Sequence, residues 1–125
     1  MCPKLDVIFI SQFQHDLYNP KYGPAPGGAE GVDKFNKAML KALKPGGLLI
    51  VVDHAGRPGT GATEIDTLHR IEESTLVAAV ERAGFKLAGE SAMLKNPADP
   101  KTASVFDASI RGKTDQFVLK FRKPK

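Results

Sequence analysis

The stretch that decides the fold is GVDKFNKAMLKALKPGGLLIVVDH, residues 31–54, where a helical pattern stops at a proline and two glycines and turns into a strand. Apolar residues recur there at the spacing of one helix face, namely Val32, Phe35, Met39, Leu40 and Leu43. Lysines fall largely on the opposite side, at positions 34, 37, 41 and 44. This periodicity predicts an amphipathic helix.

A tight turn and a buried strand are predicted to follow this helix. Pro45 disfavours the helical conformation at Lys44, and the glycine pair 46–47 can adopt left-handed or extended angles. The run LLIVV, residues 48–52, is apolar without interruption. A strand that is apolar on both faces is typical of the parallel sheets of α/β proteins.

The rest of the chain adds three strands and a second helix to this centre. A first buried strand is predicted at LDVIFI, residues 5–10, and a long Pro- and Gly-rich loop over residues 11–31. The later elements are a helix at about 73–83 closed by a left-handed Gly84, a strand at 86–94 bent at Gly89, a loop at 96–114 and a strand at 115–123. We therefore predict a single α/β domain over residues 1–125, with about four strands and at least two helices.

Composition excludes several classes of function. The chain has 125 residues, 42% of them hydrophobic, and no apolar run approaches the roughly 20 residues of a membrane helix. The first residues lack a secretory signal, so we expect a cytoplasmic protein, although export of a longer parent protein stays open. Cys2 is the only cysteine and is interpreted as a free thiol. The net charge of +4 comes partly from a lysine-rich end without a nucleic-acid reader motif, which we interpret as a solvated tail.

Candidate catalytic residues follow the first two strands. His15 and Asp16 come shortly after the first strand, and Asp53 and His54 end the second. Open α/β sheets bind ligands at the carboxyl ends of their strands. An imidazole at that place is suited to take a proton from a substrate, and Asp53 to orient it or to bind a substrate cation. The alternative is that His15 hydrogen-bonds its own turn and Asp53 caps loop amides.

Other candidates concern substrate, anion and metal binding. Tyr18 and Tyr22 either line a pocket or cover apolar surface. His69 and Arg70 precede a helix, and Arg70 either clamps a carboxylate or phosphate or lies at the surface. The turn at residues 111–113 is either an anion site or a solvated hairpin. The three histidines match no local ligand spacing, so no metal site is predicted.

Several segments together resemble one known family. They are LDVIFISQFQHDLYN, FNKAMLKALKPGGLLIVVDH, LHRI, VERAGFKLAGES and RGKTDQFVLKFRKP. In combination they resemble the carboxyl-terminal half of class I S-adenosylmethionine-dependent methyltransferases, and more narrowly an uncharacterised bacterial group of predicted methyltransferases. The resemblance covers essentially the whole chain.

The resemblance implies a partial Rossmann-like sheet ordered first, second, fourth, third, with the last strand antiparallel between its neighbours. It also implies S-adenosylmethionine as cofactor, bordered by Ser11, Gln12 and Phe13, and a substrate bordered by Tyr18, His69 and Arg70. The family's glycine-rich loop and the acidic residue that holds the ribose are not found in this sequence. We therefore do not expect this chain alone to form a complete cofactor site.

Two functions remain open from the sequence. The first is methyl transfer to an unknown small molecule, once a missing amino-terminal half or a second copy completes the sheet. The alternative is a non-catalytic truncated homologue that acts as an oligomerising or small-ligand-binding module. In both cases the unpaired apolar first strand predicts self-association, most simply as a two-fold dimer.

Overall fold

The structure, a computed structural model, describes residues 4–18 and 29–125, with the backbone only at residues 29 and 30. Its elements in chain order are β1 (Leu5–Ser11), a 3₁₀ turn (Gln14–Tyr18), α1 (Ala29–Ala42), β2 (Leu43–His54), α2 (Ile65–Leu68), α3 (Glu73–Arg82), β3 (Lys86–Ser91) and β4 (Gln116–Arg122). The predicted mixed α/β architecture is confirmed.

The four strands form one sheet in the order β1-β2-β4-β3. Strands β1 and β2 are parallel, whereas β4 runs antiparallel to both β2 and β3. The helix between β1 and β2 provides the crossover that a parallel pair requires. The order and the antiparallel position of the last strand are both as predicted.

The core lies on one face of the sheet, beneath α1 and α3. Alternate residues of β4, namely Phe117, Leu119 and Phe121, are at most 1% exposed. They pack in one cluster with Leu49 and Val51 of β2 and with residues of both helices, including Met39, Leu76 and Val80. The two-residue alternation of β4 and the helical spacing of α1 and α3 therefore meet in a single hydrophobic layer.

The opposite face of β1 and β2 is open. Val7 and Phe9 are 51% and 64% exposed and lie in register with Leu48 and Ile50. The sequence predicts a buried first strand, and this is wrong for the described residues, because β1 is an edge strand and only its Ile8 and Ile10 pack against the core. Among the described residues, the apolar strand β1 therefore has no neighbouring strand on its outer edge and no element that covers Val7 and Phe9.

The turn between α1 and β2 differs from the predicted one. Helix α1 begins at Ala29 and ends at Ala42, and Leu43, predicted in the helix, is the first residue of β2. Gly46 has a φ of +82°, and its N–H donates to the carbonyl of Lys123 at 2.8 Å. The turn residues therefore belong to an irregular start of β2, where the register with β1 shifts between Leu5 and Val7.

Two short elements were not expected. The predicted loop over residues 11–31 contains the 3₁₀ turn Gln14–Tyr18, and α2 precedes His69. The loop's Pro20, Tyr22 and neighbouring residues to position 28, like Cys2, lie outside the described residues. The predicted helix at 73–83, the bend at Gly89 and the loop at 96–114 agree with the structure.

In the described ranges, none of the helices has the length and apolar character that crossing a membrane requires.

Replacement of Gly84 by alanine is expected to destabilise the fold by about 1–3 kcal/mol. Gly84 has a φ of +117°, and a Cβ added there would lie 3.0 Å from the Leu40 side chain in α1. Gly89→Ala is the matched control, because its added Cβ would meet nothing closer than 3.5 Å and the residue has no positive φ. Urea unfolding monitored by circular dichroism measures the stability of both variants. An equal loss of stability in the two would contradict the special requirement for glycine at position 84.

Candidate functional site

A cleft lies at the carboxyl ends of β1 and β2. Its volume is about 320 Å³, and the residues that line it are Gln12, His15, Asp16, His54, His69, Val105 and Phe106. The lining comes from the loop after β1, the end of β2, the segment after α2 and the long loop before β4. This is the part of an open α/β sheet where ligands bind.

The fully buried carboxylate of Asp53 joins the two strand ends. Its Oδ2 accepts the backbone N–H of His15 at 2.7 Å, and its Oδ1 accepts the N–H of His54 at 2.8 Å. Oδ1 also lies 2.7 Å from Nδ1 of His15. A carboxylate can only accept a hydrogen bond, so Nδ1 of His15 carries the proton of this contact. Nε2 of His15 therefore points away from Asp53.

The two carboxylates beside His15 affect its protonation. Burial disfavours the imidazolium, but the hydrogen bond to Asp53 and the negative charges of Asp53 and Asp16 outweigh it, so the pKa of His15 is raised above its ordinary value. Nε2 of His15 lies 3.2 Å from Oδ1 of Asp16, whose side chain is 30% exposed. His15, at the wall of the cleft, is therefore a stronger base than an ordinary histidine.

His54 has a different environment from His15. Its Nδ1 lies 2.7 Å from the hydroxyl of Thr114, and its ring centroid lies 6.1 Å from that of His15. Burial and the neighbouring His15, Arg70 and His69 lower the pKa of His54 to about 4, against the opposing effect of Asp53. His54 is therefore neutral at physiological pH and can serve as a hydrogen-bonding wall.

His69 lines the cleft from the segment that follows α2. It caps the carboxyl end of α2 in a left-handed conformation, with a φ of +56°, and its N–H donates to the carbonyl of Ile65 at 3.0 Å. Its ring packs edge-on against His15 and Phe106, with centroids 5.8 Å and 4.9 Å away. One imidazole nitrogen of His69, one of His15 and a carboxylate oxygen of Asp16 all lie within 4.8 Å of one another.

Arg70 is turned away from the cleft and is fully buried. Its guanidinium forms a bidentate pair with Asp99 at 2.8 and 3.1 Å and also donates to the carbonyls of Ala55 and Ala103. Hydrogen bonds from Arg70 hold the pKa of Asp99 below its usual value, although burial acts in the other direction. The predicted contact of Arg70 with a substrate stays a prediction, and this arrangement favours a structural role.

The residues predicted to border the cofactor lie at the outer edge of the sheet. Ser11 ends β1, and the next residue, Gln12, has a φ of +57° and donates its N–H to the carbonyl of Val52 at 2.7 Å. Phe13 is 45% exposed and lies against Phe35. Of these three, only Gln12 lines the cleft, and all three are exposed.

The remaining predicted residues lie near the cleft rather than in it. Tyr18 packs against the core clusters, where burial raises the pKa of its hydroxyl to about 12. Tyr22 lies outside the described residues. Arg111 and Gly112 line an adjoining depression together with His54 and Gln116.

The sequence does not predict that Phe106, Val105 and Thr114 lie at the site. All three belong to the long loop before β4, which carries no strand or helix pattern, and Val105 is placed by an N–H that donates to the carbonyl of Leu68. An apolar Val-Phe pair within a polar loop was the one available signal. It does not by itself distinguish a cleft wall from a surface residue.

The mixed four-stranded sheet with its helices is a partial Rossmann-like α/β fold. No protein-family model matches the sequence, and no curated protein matches it. Solved structures do match. They include the N-methyltransferase NodS from Bradyrhizobium japonicum, with a TM-score of 0.61, 15% identity and coverage of 100% of this chain and 54% of that one. A second NodS structure, in complex with S-adenosyl-L-homocysteine, matches with a TM-score of 0.56 and 14% identity over 100% of this chain and 49% of that one.

Two further structures define the range of this fold. A SAM-dependent methyltransferase from Methanosarcina mazei matches with a TM-score of 0.59 and 14% identity, over 97% of this chain and 60% of its own. The [4+2]-cyclase SpnF matches with a TM-score of 0.57 and 19% identity, over 97% of this chain and 50% of its own. The chain thus spans about half the length of these structures. At such identities the likeness shows the fold, which different chemistries share.

The described residues do not form a complete cofactor site. Ser11 and Phe13 are exposed, and the outer edge of β1 has no partner strand in the described part of the chain. Among the described residues, the three positions predicted to border the cofactor are therefore largely open to solvent.

Replacing Arg70 by methionine is expected to destabilise the protein by about 3–5 kcal/mol, because the buried carboxylate of Asp99 would lose its partner. Arg82→Met is the control, since Arg82 and Asp33 form a pair that is 53% and 36% exposed and is worth less than about 1 kcal/mol. Chemical denaturation measures both variants. A loss for Arg70→Met no larger than that of the control would contradict the structural role.

Proposed function

We propose that this chain is the carboxyl-terminal half of an S-adenosylmethionine-dependent methyltransferase, active on a small molecule when a second polypeptide completes the sheet. The observation that carries the proposal is the His15–Asp53 pair at the carboxyl ends of two parallel strands, beside a cleft of about 320 Å³. The fold shared with methyltransferase structures supports it.

In the proposed reaction His15 is the general base. When bound, S-adenosylmethionine supplies a methyl group that its sulfonium already activates. Nε2 of His15 takes the proton from a substrate oxygen or nitrogen as that atom gains the methyl group. Asp53 holds the ring by its Nδ1 and stabilises the imidazolium that forms.

The other cleft residues orient the substrate. His54 stays neutral and accepts or donates one hydrogen bond, and Phe106 offers an exposed aromatic face. Asp16 adds a second negative charge near Nε2 of His15. A substrate with a hydroxyl or amine on an aromatic or apolar body suits this lining.

We expect a second polypeptide to complete the sheet beside β1 and to cover the open face that carries Val7 and Phe9. Val7 and Phe9 are more than half exposed, and Leu48 and Ile50 lie beside them in the sheet. We propose that a second polypeptide covers this face, either an amino-terminal half or a second copy of the chain, because the chain spans about half of the structures that it matches. The chain on its own is expected to dimerise through the same face, since apolar faces of this kind are covered in stable proteins.

The exposure of Ser11, Gln12 and Phe13, which are predicted to border the cofactor, favours a second function. A truncated homologue that oligomerises and binds a small ligand would need the cleft but no nucleoside site. The two functions differ in one property, which is binding of the cofactor's demethylated product by the associated chain.

The double variant Val7→Lys/Phe9→Lys is expected to convert the dimer to a monomer, because two charges on this face would have to be buried. Met93→Lys is the matched control, since Met93 is 77% exposed and lies outside the sheet. Sedimentation velocity measures the association state. A monomeric wild-type chain, or a dimer that persists in the double variant, would contradict the proposed interface.

Calorimetry with S-adenosylhomocysteine then separates the two functions. The associated wild-type chain is expected to bind it, and the monomeric double variant to show at least a tenfold weaker affinity, because one wall of the site is lost. The absence of binding heat with the associated chain would remove methyl transfer by the chain's own dimer and would favour the small-ligand module.

A further inference from the structure

We propose that His15, Asp16 and His69 bind a divalent first-row transition-metal ion, with zinc or cobalt as the ions that fit best. This inference goes beyond methyl transfer and does not depend on it. It rests on the side chains that the fold brings together at the mouth of the cleft.

The first argument is the arrangement of the donor atoms. Two imidazole nitrogens and one carboxylate oxygen lie within 4.8 Å of one another, and the pair formed by His15 Nε2 and Asp16 Oδ1 is already 3.2 Å apart. Ligands about 2.0–2.2 Å from a tetrahedral zinc ion are separated by roughly 3.4 Å. The donor atom of His69 therefore needs to approach the other two by up to about 1.4 Å, which rotation of the side chains can supply.

The second argument is the buried carboxylate behind His15. Histidines that bind metals almost always donate their other ring N–H to a carboxylate, a carbonyl or water, which fixes the tautomer and raises the basicity of the ligand. Asp53 is fully buried and lies 2.7 Å from Nδ1 of His15. Because Asp53 holds the proton on Nδ1, the lone pair of Nε2 is available to the ion. Nε2 faces Asp16, which is the second proposed ligand.

The third argument is the fixed position of His69. Its left-handed backbone, with a φ of +56°, costs on the order of 1–3 kcal/mol and must be maintained by its surroundings. The next residue, Arg70, is anchored by Asp99 and by the carbonyl of Ala55, and Phe106 packs edge-on against the imidazole. His69, which caps the carboxyl end of α2, is thus held with its ring toward His15.

The donor set selects the kind of ion. Two imidazoles and a carboxylate suit zinc, cobalt, nickel or ferrous iron, whereas calcium and magnesium prefer oxygen ligands. Three protein ligands leave a fourth position directed to the cleft. A water molecule or a substrate oxygen fits there, next to His54 and Gln12.

Metal binding and general-base catalysis exclude one another at His15, because both use the lone pair of Nε2. If the completed protein transfers methyl groups with His15 as base, the ion would inhibit that reaction. A competing account of the same distances is a protonated His15 placed between Asp53 and Asp16, with no ion at all. The experiment distinguishes the two.

Titration of chelator-treated protein with cobalt chloride, followed by visible absorption and then by displacement with zinc chloride, tests the site. We expect one cobalt ion per chain, with the intense d–d bands of a four- or five-coordinate centre. His15→Ala and His69→Asn should each weaken binding at least tenfold, and Asp53→Asn should weaken it about 10–100-fold. Asparagine tolerates the left-handed backbone at residue 69, so loss of a ligand is not confused with loss of the fold.

His54→Ala is the matched control, because it removes an imidazole from the same cleft and leaves the three proposed ligands in place. Its cobalt affinity should stay within twofold of that of the wild type. No cobalt spectrum, an unchanged affinity in His69→Asn, or an equal loss in His54→Ala would each overturn the proposal.

Discussion

The arrangement of the site depends on one buried carboxylate. Asp53 is fully buried, and it accepts hydrogen bonds from the backbone of His15, from the imidazole of His15 and from the backbone of His54. An unpaired charge at this depth would cost several kcal/mol, so these contacts are required for the fold as well as for the site. They bring the loop after β1 onto the end of β2, and they determine which nitrogen of His15 faces the cleft.

A second buried carboxylate organises the opposite wall. Asp99 pairs with Arg70 and also accepts the N–H of Asp115, which precedes β4. Arg70 in turn reaches the carbonyl of Ala55 just beyond β2. The long loop that carries Phe106 is therefore tied to the sheet and to the segment that positions His69. Asp53 and Asp99 therefore hold together the three irregular segments that line the cleft, which are the loop after β1, the segment after α2 and the loop before β4.

Local patterns in the sequence were sufficient for the main elements and for part of the site. The helical spacing in α1, the alternation in β4 and the glycine after α3 each indicate their structure within a few neighbouring residues. The rule that ligands lie at strand ends placed His15 beside Asp53. The approach of His69 to His15 and the pairing of Arg70 with Asp99 depend on contacts between distant segments, which no local pattern encodes. The prediction of a buried β1 was wrong for the described residues, because an apolar run indicates suitability for burial and not the presence of a neighbour.

The central claim is that Asp53 fixes the proton of His15 on Nδ1 and leaves Nε2 for a substrate proton or an ion. Long-range ¹H–¹⁵N correlation of the histidine rings in metal-free protein, at a pH where His15 is neutral, tests this claim most directly. The account predicts the Nδ1–H tautomer in the wild type, with the preference lost in Asp53→Asn. A neutral His15 with its proton on Nε2, in the wild-type protein, would contradict it.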